Sequence, residues 1–211
     1  MSLDATHPMI PPSAIAPVER MRLVLRELWR SPADRVLVVL DAARDPRIHP
    51  AILRQPGAHA CLYAEASRSM AAVAPYVVEL SPETPFTRWL LTDAWGASWG
   101  FFVRTQLGLD ATRRHFKRFL RARTEDGRTL LFRFYDPRVM RRYLPTCTDD
   151  ELTALFGEAD AFVMEAEQPD RLWSFGRSPV GFSCTLLALG PVGGRETDAD
   201  AADLGATLVV S

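Results

Sequence analysis

The chain has 211 residues, of which 47% are hydrophobic and 24% are charged, and its formal net charge is −1 at pH 7. This near-neutral balance supplies no overall basic field, which argues against a general nucleic-acid-binding protein. Cys61, Cys147 and Cys184 are widely spaced and follow neither a zinc-site nor a disulfide pattern, so we expect reduced thiols in a cytosolic protein.

The first part of the chain predicts a flexible leader followed by alternating helices and strands. Residues 1–17 are rich in proline and lack the basic start and apolar run of a secretory signal, so we expect a flexible leader. Residues 18–29 place apolar side chains at helical spacing, and the aliphatic run 35–41 predicts a strand buried on both faces. A helix at 45–53 and a short strand at 59–63 follow.

The middle of the chain continues this alternation. A helical turn at 70–74, a strand at 75–80, a helix at 86–94, a strand at 98–105 and a basic amphipathic helix at 109–121 are predicted in that order. Strands that alternate with helices predict an α/β domain in which helices flank a mixed central β-sheet. The cations expected on the outer face of the basic helix are Arg113, Arg114, Lys117, Arg118 and Arg121.

Residues 128–147 change from strand to helical periodicity within one short segment. The residues from Thr129 to Tyr135 are mostly aromatic or aliphatic and predict a strand. Asp136 is expected to cap the following helix, with Pro137 as its first residue, because this is the favoured order at a helix start. The predicted result is a strand that leads directly into a short, arginine-rich helix.

The last part of the chain predicts one more helix and short strands. Thr148 and Glu151 fit a capping box at the start of a helix that ends at Gly157, and strands are expected at 161–165 and 173–175. The apolar stretch 180–190 is too short to span a bilayer.

These elements suggest a division of the chain into four parts. We expect an α/β domain over residues 18–166, a short C-terminal extension over 167–190 and a disordered tail over 191–211, apart from residues 207–210. The leader 1–17 precedes them.

Three aspartates offer one route to an enzyme. Asp41 and Asp45 lie near the end of one predicted strand and Asp136 follows another, so together they form a candidate carboxylate site of a metal-dependent hydrolase. Each also precedes a turn or a helix, where aspartate is a common cap, and we favour that interpretation. No phosphate-binding glycine loop, His-Glu-x-x-His or Gly-x-Ser-x-Gly motif is present in the sequence, and no cofactor is predicted.

Two further residues are candidate catalytic groups. His115 has no neighbouring carboxylate to orient it as a base, so a packing or surface role is favoured. Cys147 lies at a predicted helix start, where a thiol pKa is lowered, but no partner histidine is identifiable and we expect an inert thiol.

Several blocks of the sequence resemble the bacterial type VI secretion adaptor family, which is catalogued as domain of unknown function 4123. The resemblance covers about residues 36–165 and is most specific in the Phe-Arg-Phe-Tyr-Asp-Pro-Arg block. The blocks are Val36–Asp41 with Ala42 and Ala43, Cys61–Tyr63, Ala74–Leu80, Trp95-Gly96, His115–Leu120 and Phe132–Arg138.

The resemblance implies a cytoplasmic chaperone without catalysis or cofactor. Such a protein binds a toxic effector, commonly near its N-terminal region, and promotes its loading onto the spike protein VgrG. No nucleic acid or membrane partner is implied. The chain departs from the family pattern at two points. Little more than 45 residues follow Glu165, where many relatives carry a longer helical lobe, and this difference concerns how cargo is bound. In addition, Phe116-Lys117-Arg118 replaces the Leu-Arg-Arg block of the family.

Arginine and aromatic side chains supply much of the binding energy at protein interfaces, so those near the strand–helix junction are candidate partner contacts. Arg133, Tyr135, Asp136 and Arg138 are also candidates for holding the junction together, and an Asp136 cap that pairs with a nearby arginine is favoured over direct partner contact. The candidate residues are Arg133, Tyr135, Asp136, Arg138, Arg141 and Arg118. Two other functions stay open, the metal-dependent hydrolase above and a structural spike- or baseplate-binding protein.

Overall fold

The structure is a computed structural model that describes residues 16–63, 67–123, 126–178, 181–190 and 208–210. Residues 1–15 of the predicted leader and most of the predicted tail therefore lie outside the described residues, whereas Pro17 begins the first helix. The proposed division into four parts stays a prediction.

The helices have apolar residues at helical spacing and begin at proline or at a side-chain cap in several cases. They are α1 (Pro17–Leu28), α2 (Ile48–Arg54), α3 (Arg68–Ala71), α4 (Pro85–Thr92), α5 (Leu109–Lys117), α6 (Pro137–Tyr143) and α7 (Asp149–Phe156). Short 3₁₀ turns occupy residues 42–44, 118–120 and 144–146.

The strands fall into one large sheet and one small ribbon. They are β1 (Arg35–Asp41), β2 (His59–Cys61), β3 (Pro75–Leu80), β4 (Gly100–Thr105), β5 (Arg121–Arg123), β6 (Thr129–Leu131), β7 (Ala159–Glu165), β8 (Arg171–Ser178), β9 (Gly181–Ala188) and β10 (Leu208–Val210). The large sheet has the order β10-β9-β8-β7-β4-β1-β3-β2, and β5 pairs with β6 in the ribbon.

The expected α/β class, with helices flanking a central sheet, is confirmed. The sheet differs from the expected mixed sheet because every strand pair among the described residues is antiparallel. β2 runs parallel to β1, and β4 runs parallel to β3, but in each case an antiparallel strand lies between the two, so no parallel neighbours result.

The sheet is covered on both faces, and β1 lies at its centre. Val36, Val38 and Leu40 pack toward α1, α2 and α4, whereas Leu37 and Val39 pack toward α5, α6 and α7. These five side chains are at most 1% exposed. This is the buried central strand that the continuous aliphatic run predicts. Burial of each such side chain contributes about 1.5–3 kcal/mol to the free energy of folding.

The largest correction concerns the segment predicted as a strand at 129–135. Only Thr129–Leu131 is a strand, and it pairs with β5 rather than joining the large sheet. Arg121, expected as the last residue of a helix, instead begins that partner strand. The chain then turns, because Phe134 and Tyr135 enter the core in succession and Asp136 caps α6, a geometry that an extended strand cannot provide.

The second correction concerns the C-terminal part of the sheet. β8 is eight residues long, longer than the three residues predicted, and β9, which was not predicted, pairs with it over its whole length. β8 and β9 extend the large sheet outward from β7. Within the described residues, no helix is long and apolar enough to cross a membrane.

Candidate functional site

The turn before α6 is built by a cap and an ion pair, as the sequence predicts. The Asp136 carboxylate accepts hydrogen bonds from the backbone N–H of Arg138 at 3.0 Å and from Nε and Nη2 of the same arginine at 2.9 and 2.7 Å. Asp136 is 3% exposed. Burial raises the pKa of Asp136, but the hydrogen bonds from Arg138 outweigh it, so the pKa lies below its usual value.

A second ion pair ties this turn to the central strand. Nη2 of Arg133 donates to Oδ2 of Asp41 at 2.7 Å and lies 4.0 Å from Oδ2 of Asp136. The Asp41 carboxylate also accepts from the backbone N–H of Ala43 at 3.1 Å, which caps the 3₁₀ turn after β1. Arg133 therefore lies beside two buried carboxylates, and the hydrogen bond to Asp41 raises the pKa of its guanidinium.

Tyr135 is a buried member of the same group. Its hydroxyl lies 3.4 Å from the hydroxyl of Tyr63, and the guanidinium of Arg133 lies 5.8 Å from the centre of its ring. Burial is the main reason why the pKa of Tyr135 is raised. The neighbouring Phe134 stacks on Phe116 of α5 with 5.5 Å between ring centres. Successive aromatic side chains thus anchor the turn to α5 and to the end of β2.

Arg141 of α6 anchors the helix to the end of β7. Its side chain is only 8% exposed, and it donates to the Glu165 carbonyl at 2.7 Å and to Oε1 of Glu167 at 2.9 Å. The Glu165 carboxylate accepts from the backbone N–H groups of Gly96 and Ser98 at 2.8 and 3.2 Å. Burial raises the pKa of Glu165 to about 7.

Glu165 and Glu167 are site residues that the sequence analysis missed. The only signal for Glu165 is its place at the end of an apolar strand, where a charged side chain is unusual.

Arg118 lies apart from the junction, in the 3₁₀ turn that follows α5. Its Nη2 donates to Nδ1 of His115 at 2.8 Å, and Nε2 of His115 lies 2.7 Å from the carbonyl of Leu155. A carbonyl only accepts, so Nε2 carries the proton and Nδ1 accepts from Arg118. Burial lowers the pKa of His115. The imidazole therefore connects α5 to α7, which agrees with the favoured packing role.

The carboxylates proposed for a hydrolase have arginine partners. The Asp45 carboxylate accepts hydrogen bonds from the backbone and side chain of Arg47 at 2.8–2.9 Å. Arg133, in contrast, lies beside Asp41 and Asp136. In the described parts of the chain, no group of three or more His, Cys, Asp or Glu side chains could hold a metal ion. The convergence that the metal hypothesis requires is therefore not found there.

Cys147 is not in the environment of an activated thiol. Its side chain is buried, its Sγ–H donates to the carbonyl of Tyr143 at 3.4 Å, and burial raises its pKa. A raised pKa lowers the thiolate fraction, which is the opposite of what a helix start can achieve.

The junction combines buried carboxylates with accessible arginines. The side chains of Arg133 and Arg138 are 47% and 48% exposed, whereas those of Asp41 and Asp136 are at most 4% exposed. We call these four residues the junction cluster. Its exposed groups are the two guanidiniums, which can donate further hydrogen bonds to a carboxylate or carbonyl of another molecule. Contact of Arg118, Arg133, Tyr135, Asp136, Arg138 or Arg141 with a partner stays a prediction.

Comparison with known proteins gives one match. A family model described as "Domain of unknown function (DUF4123)" matches residues 36–154, more than half of the chain. Searches of curated proteins and of solved structures found no match. The matched range runs from the start of β1 to α7 and contains the whole junction cluster.

Proposed function

Because the chain belongs to the DUF4123 family, we propose that it is a non-catalytic adaptor that binds a type VI secretion effector and promotes its loading onto the VgrG spike protein. The partner region is the N-terminal part of the effector, and binding takes place in the cytoplasm before secretion.

The junction cluster is the observation that carries this proposal. The sequence block that most resembles the secretion adaptors, Phe132–Arg138, folds as a scaffold in which buried carboxylates orient two arginines toward the surface. Ion pairs within the cluster restrict the guanidinium groups, so less conformational entropy is lost when a partner binds. Arginine is also one of the residue types that dominate binding energy at interfaces.

The groups that an enzyme would need are engaged in structural contacts. His115 links two helices, Cys147 is buried with a raised pKa, and the Glu165 carboxylate accepts two backbone hydrogen bonds. These contacts support a binding protein over the hydrolase alternative.

Affinity capture from the cells that encode the protein tests the proposal. The tagged chain is purified at low salt, because the exposed arginines bind through charge, and the bound proteins are identified by mass spectrometry. We expect one large effector to be recovered in a stoichiometric complex, with or without the spike protein. Arg133→Ala and Arg138→Ala should recover less effector, whereas Arg54→Ala on the opposite face of the sheet should recover as much as the unmodified chain.

Deletion of the gene provides the functional counterpart. The bound effector should no longer be secreted, while the spike protein is still secreted, and expression of the unmodified chain should restore export. Normal effector secretion in the deletion strain, together with an absence of bound effector, would overturn the proposal. Recovery of the spike alone would favour the structural spike-binding alternative.

A further inference from the structure

The ribbon formed by β5 and β6 is connected to the side of the sheet that α5, α6 and α7 cover, where Leu120 and Phe132 at its base join the core. The backbone N–H of Phe132 donates to the carbonyl of Leu120 at 3.0 Å and closes its base, and the register pairs Arg121 with Leu131 and Ala122 with Leu130. No further strand of the described chain pairs with the ribbon. Two strands without a third are marginally stable in water, so such a ribbon gains from another strand.

The register shows which backbone groups face outward. Hydrogen-bonded and non-hydrogen-bonded pairs alternate along an antiparallel ladder. Because Leu120 and Phe132 are a hydrogen-bonded pair, the next such pair is Ala122 with Leu130. The N–H and C=O groups of Thr129 and Leu131 therefore point away from β5, at the free edge of β6, where an added strand would bond to them.

The side chains of this edge are apolar on both faces. Leu130 and Leu131 are 51% and 55% exposed, and successive residues of a strand point to opposite faces. Single exposed leucines are ordinary, but two in succession beside an unpaired strand edge are a feature that proteins usually avoid. An added strand covers both leucines only if its own side chains contribute apolar groups to both faces.

The chain that leads into the ribbon is cationic. Lys117 at the end of α5, Arg118 of the following turn and Arg121 of β5 are exposed, and none of them forms an ion pair with another described residue. A second copy of the chain would bring the same cations together and be repelled. An acidic segment is attracted to them.

From these observations, we infer that the free edge of β6 binds an extended, acidic segment of a partner protein as a third strand, with apolar side chains over Leu130 and Leu131. The inference deepens the proposed function and rests on it only for the identity of the partner as an effector. Its binding chemistry can be tested without any effector.

The probe is a fluorescent ten-residue peptide in which pairs of valine alternate with pairs of glutamate, so that each face of the added strand carries both residue types. Binding is measured by fluorescence anisotropy at low salt. A peptide with lysine in place of glutamate is the charge control, and we expect it to bind at least tenfold more weakly. Leu131→Glu should weaken binding of the acidic peptide at least tenfold, because it removes an apolar contact and adds a like charge. Leu53→Glu, at an equally exposed leucine of α2, should leave binding unchanged.

A backbone substitution isolates the strand edge. Thr129→Pro removes one outward N–H without removing a ribbon hydrogen bond, whereas Thr129→Val retains it. We expect the proline variant to bind at least tenfold more weakly than the valine variant. Hydrogen exchange should show slower exchange of the Leu131 amide when the peptide is bound, a change that docking through side chains alone does not produce.

Equal binding of the two peptides, no effect of Leu131→Glu, or dimerisation of the free chain through this ribbon would overturn the inference. Failure of the peptide experiment with normal effector capture would reject the ribbon as the binding edge while leaving the proposed function intact. Peptide binding without effector capture would reject the proposed function and leave the edge assignment.

Discussion

Asp41 and Arg133 are 92 positions apart in the chain, yet Nη2 of Arg133 donates a 2.7 Å hydrogen bond to the Asp41 carboxylate. Asp41 ends the central strand and is 1% exposed, whereas Arg133 lies in the turn before α6 and is partly exposed. A buried carboxylate needs a partner, so this pair fixes the turn against the end of the sheet.

Removal of Arg133 should therefore destabilise the fold. We expect Arg133→Met to lower the free energy of unfolding by about 1–3 kcal/mol, because the buried Asp41 carboxylate loses its charged partner. Arg142→Met is the matched control: this exposed arginine forms no ion pair with a described residue, and we expect a change below about 0.5 kcal/mol. Urea denaturation measures both values. Equal stability of the two variants would contradict the role assigned to Arg133.

A double-mutant cycle tests the pair directly. Asp41→Asn combined with Arg133→Met should cost less than the sum of the single changes, because each single change leaves an unpaired group. Strict additivity of the free energies of unfolding would show that the two side chains do not stabilise each other.

Glu165 should make the stability of the protein depend on pH. Burial raises its folded pKa to about 7, above the ordinary value of 4.5, so the folded state binds a proton that the unfolded state releases. This contribution is fully present below about pH 4.5 and is lost as the pH rises through 7. Relative to Glu165→Gln, the unmodified chain should lose on the order of 2 kcal/mol between about pH 5 and about pH 8.

Denaturant unfolding of both proteins at these two pH values measures the difference. The comparison cancels the contribution of His115, whose pKa is lowered by burial and whose effect on stability has the opposite sign. Parallel pH profiles for the two proteins would refute the assignment.

Gly157 is required where α7 ends against His115. Its φ is +55°, and a Cβ atom there would lie 2.5 Å from Cε1 and 2.9 Å from Nδ1 of the imidazole. We expect Gly157→Ala to lower the free energy of unfolding by about 1–3 kcal/mol through backbone strain and this close contact. Thermal or urea unfolding measures the effect. Gly190→Ala is the control, because nothing lies within 4 Å of its Cβ position, and a similar loss there would contradict the explanation.

Two thiols should react slowly in the folded protein. Burial raises the pKa of Cys184 to about 11 and also raises that of Cys147, so the thiolate fraction of Cys184 falls about a hundredfold from that of a thiol with a pKa of 9.0. Iodoacetamide labelling followed by mass spectrometry should show both residues modified far more slowly in the native than in the urea-unfolded chain. Rapid native labelling of Cys147 would revive the activated-thiol hypothesis.

Elements whose signals are local could be predicted from the sequence. β1 and β3 are strands over the residues predicted, and the caps at Asp136 and Thr148 form as expected. A helix cap depends on residues two or three positions away, and a buried strand depends on a continuous aliphatic run. Both features can therefore be recognised from a few consecutive residues.

The missed features depend on distant residues. β9 became a strand because β8 pairs with it, and residues 129–135 failed to form one long strand because two aromatic residues in succession are buried under α5. The β-propensity of a segment does not show which other strand it will pair with in the sheet.

The sequence by itself determined the α/β class, the central strand, the capped helix after Asp136 and the grouping of arginines near it. Only the tertiary structure decided which arginine meets which carboxylate, that the Arg141 side chain is buried while those of Arg133 and Arg138 remain partly exposed, and that no other described strand pairs with the outer edge of β6. The physical reason is that capping and periodicity act over a few residues, whereas ion pairing, burial and strand pairing join groups that the chain brings together only when it folds.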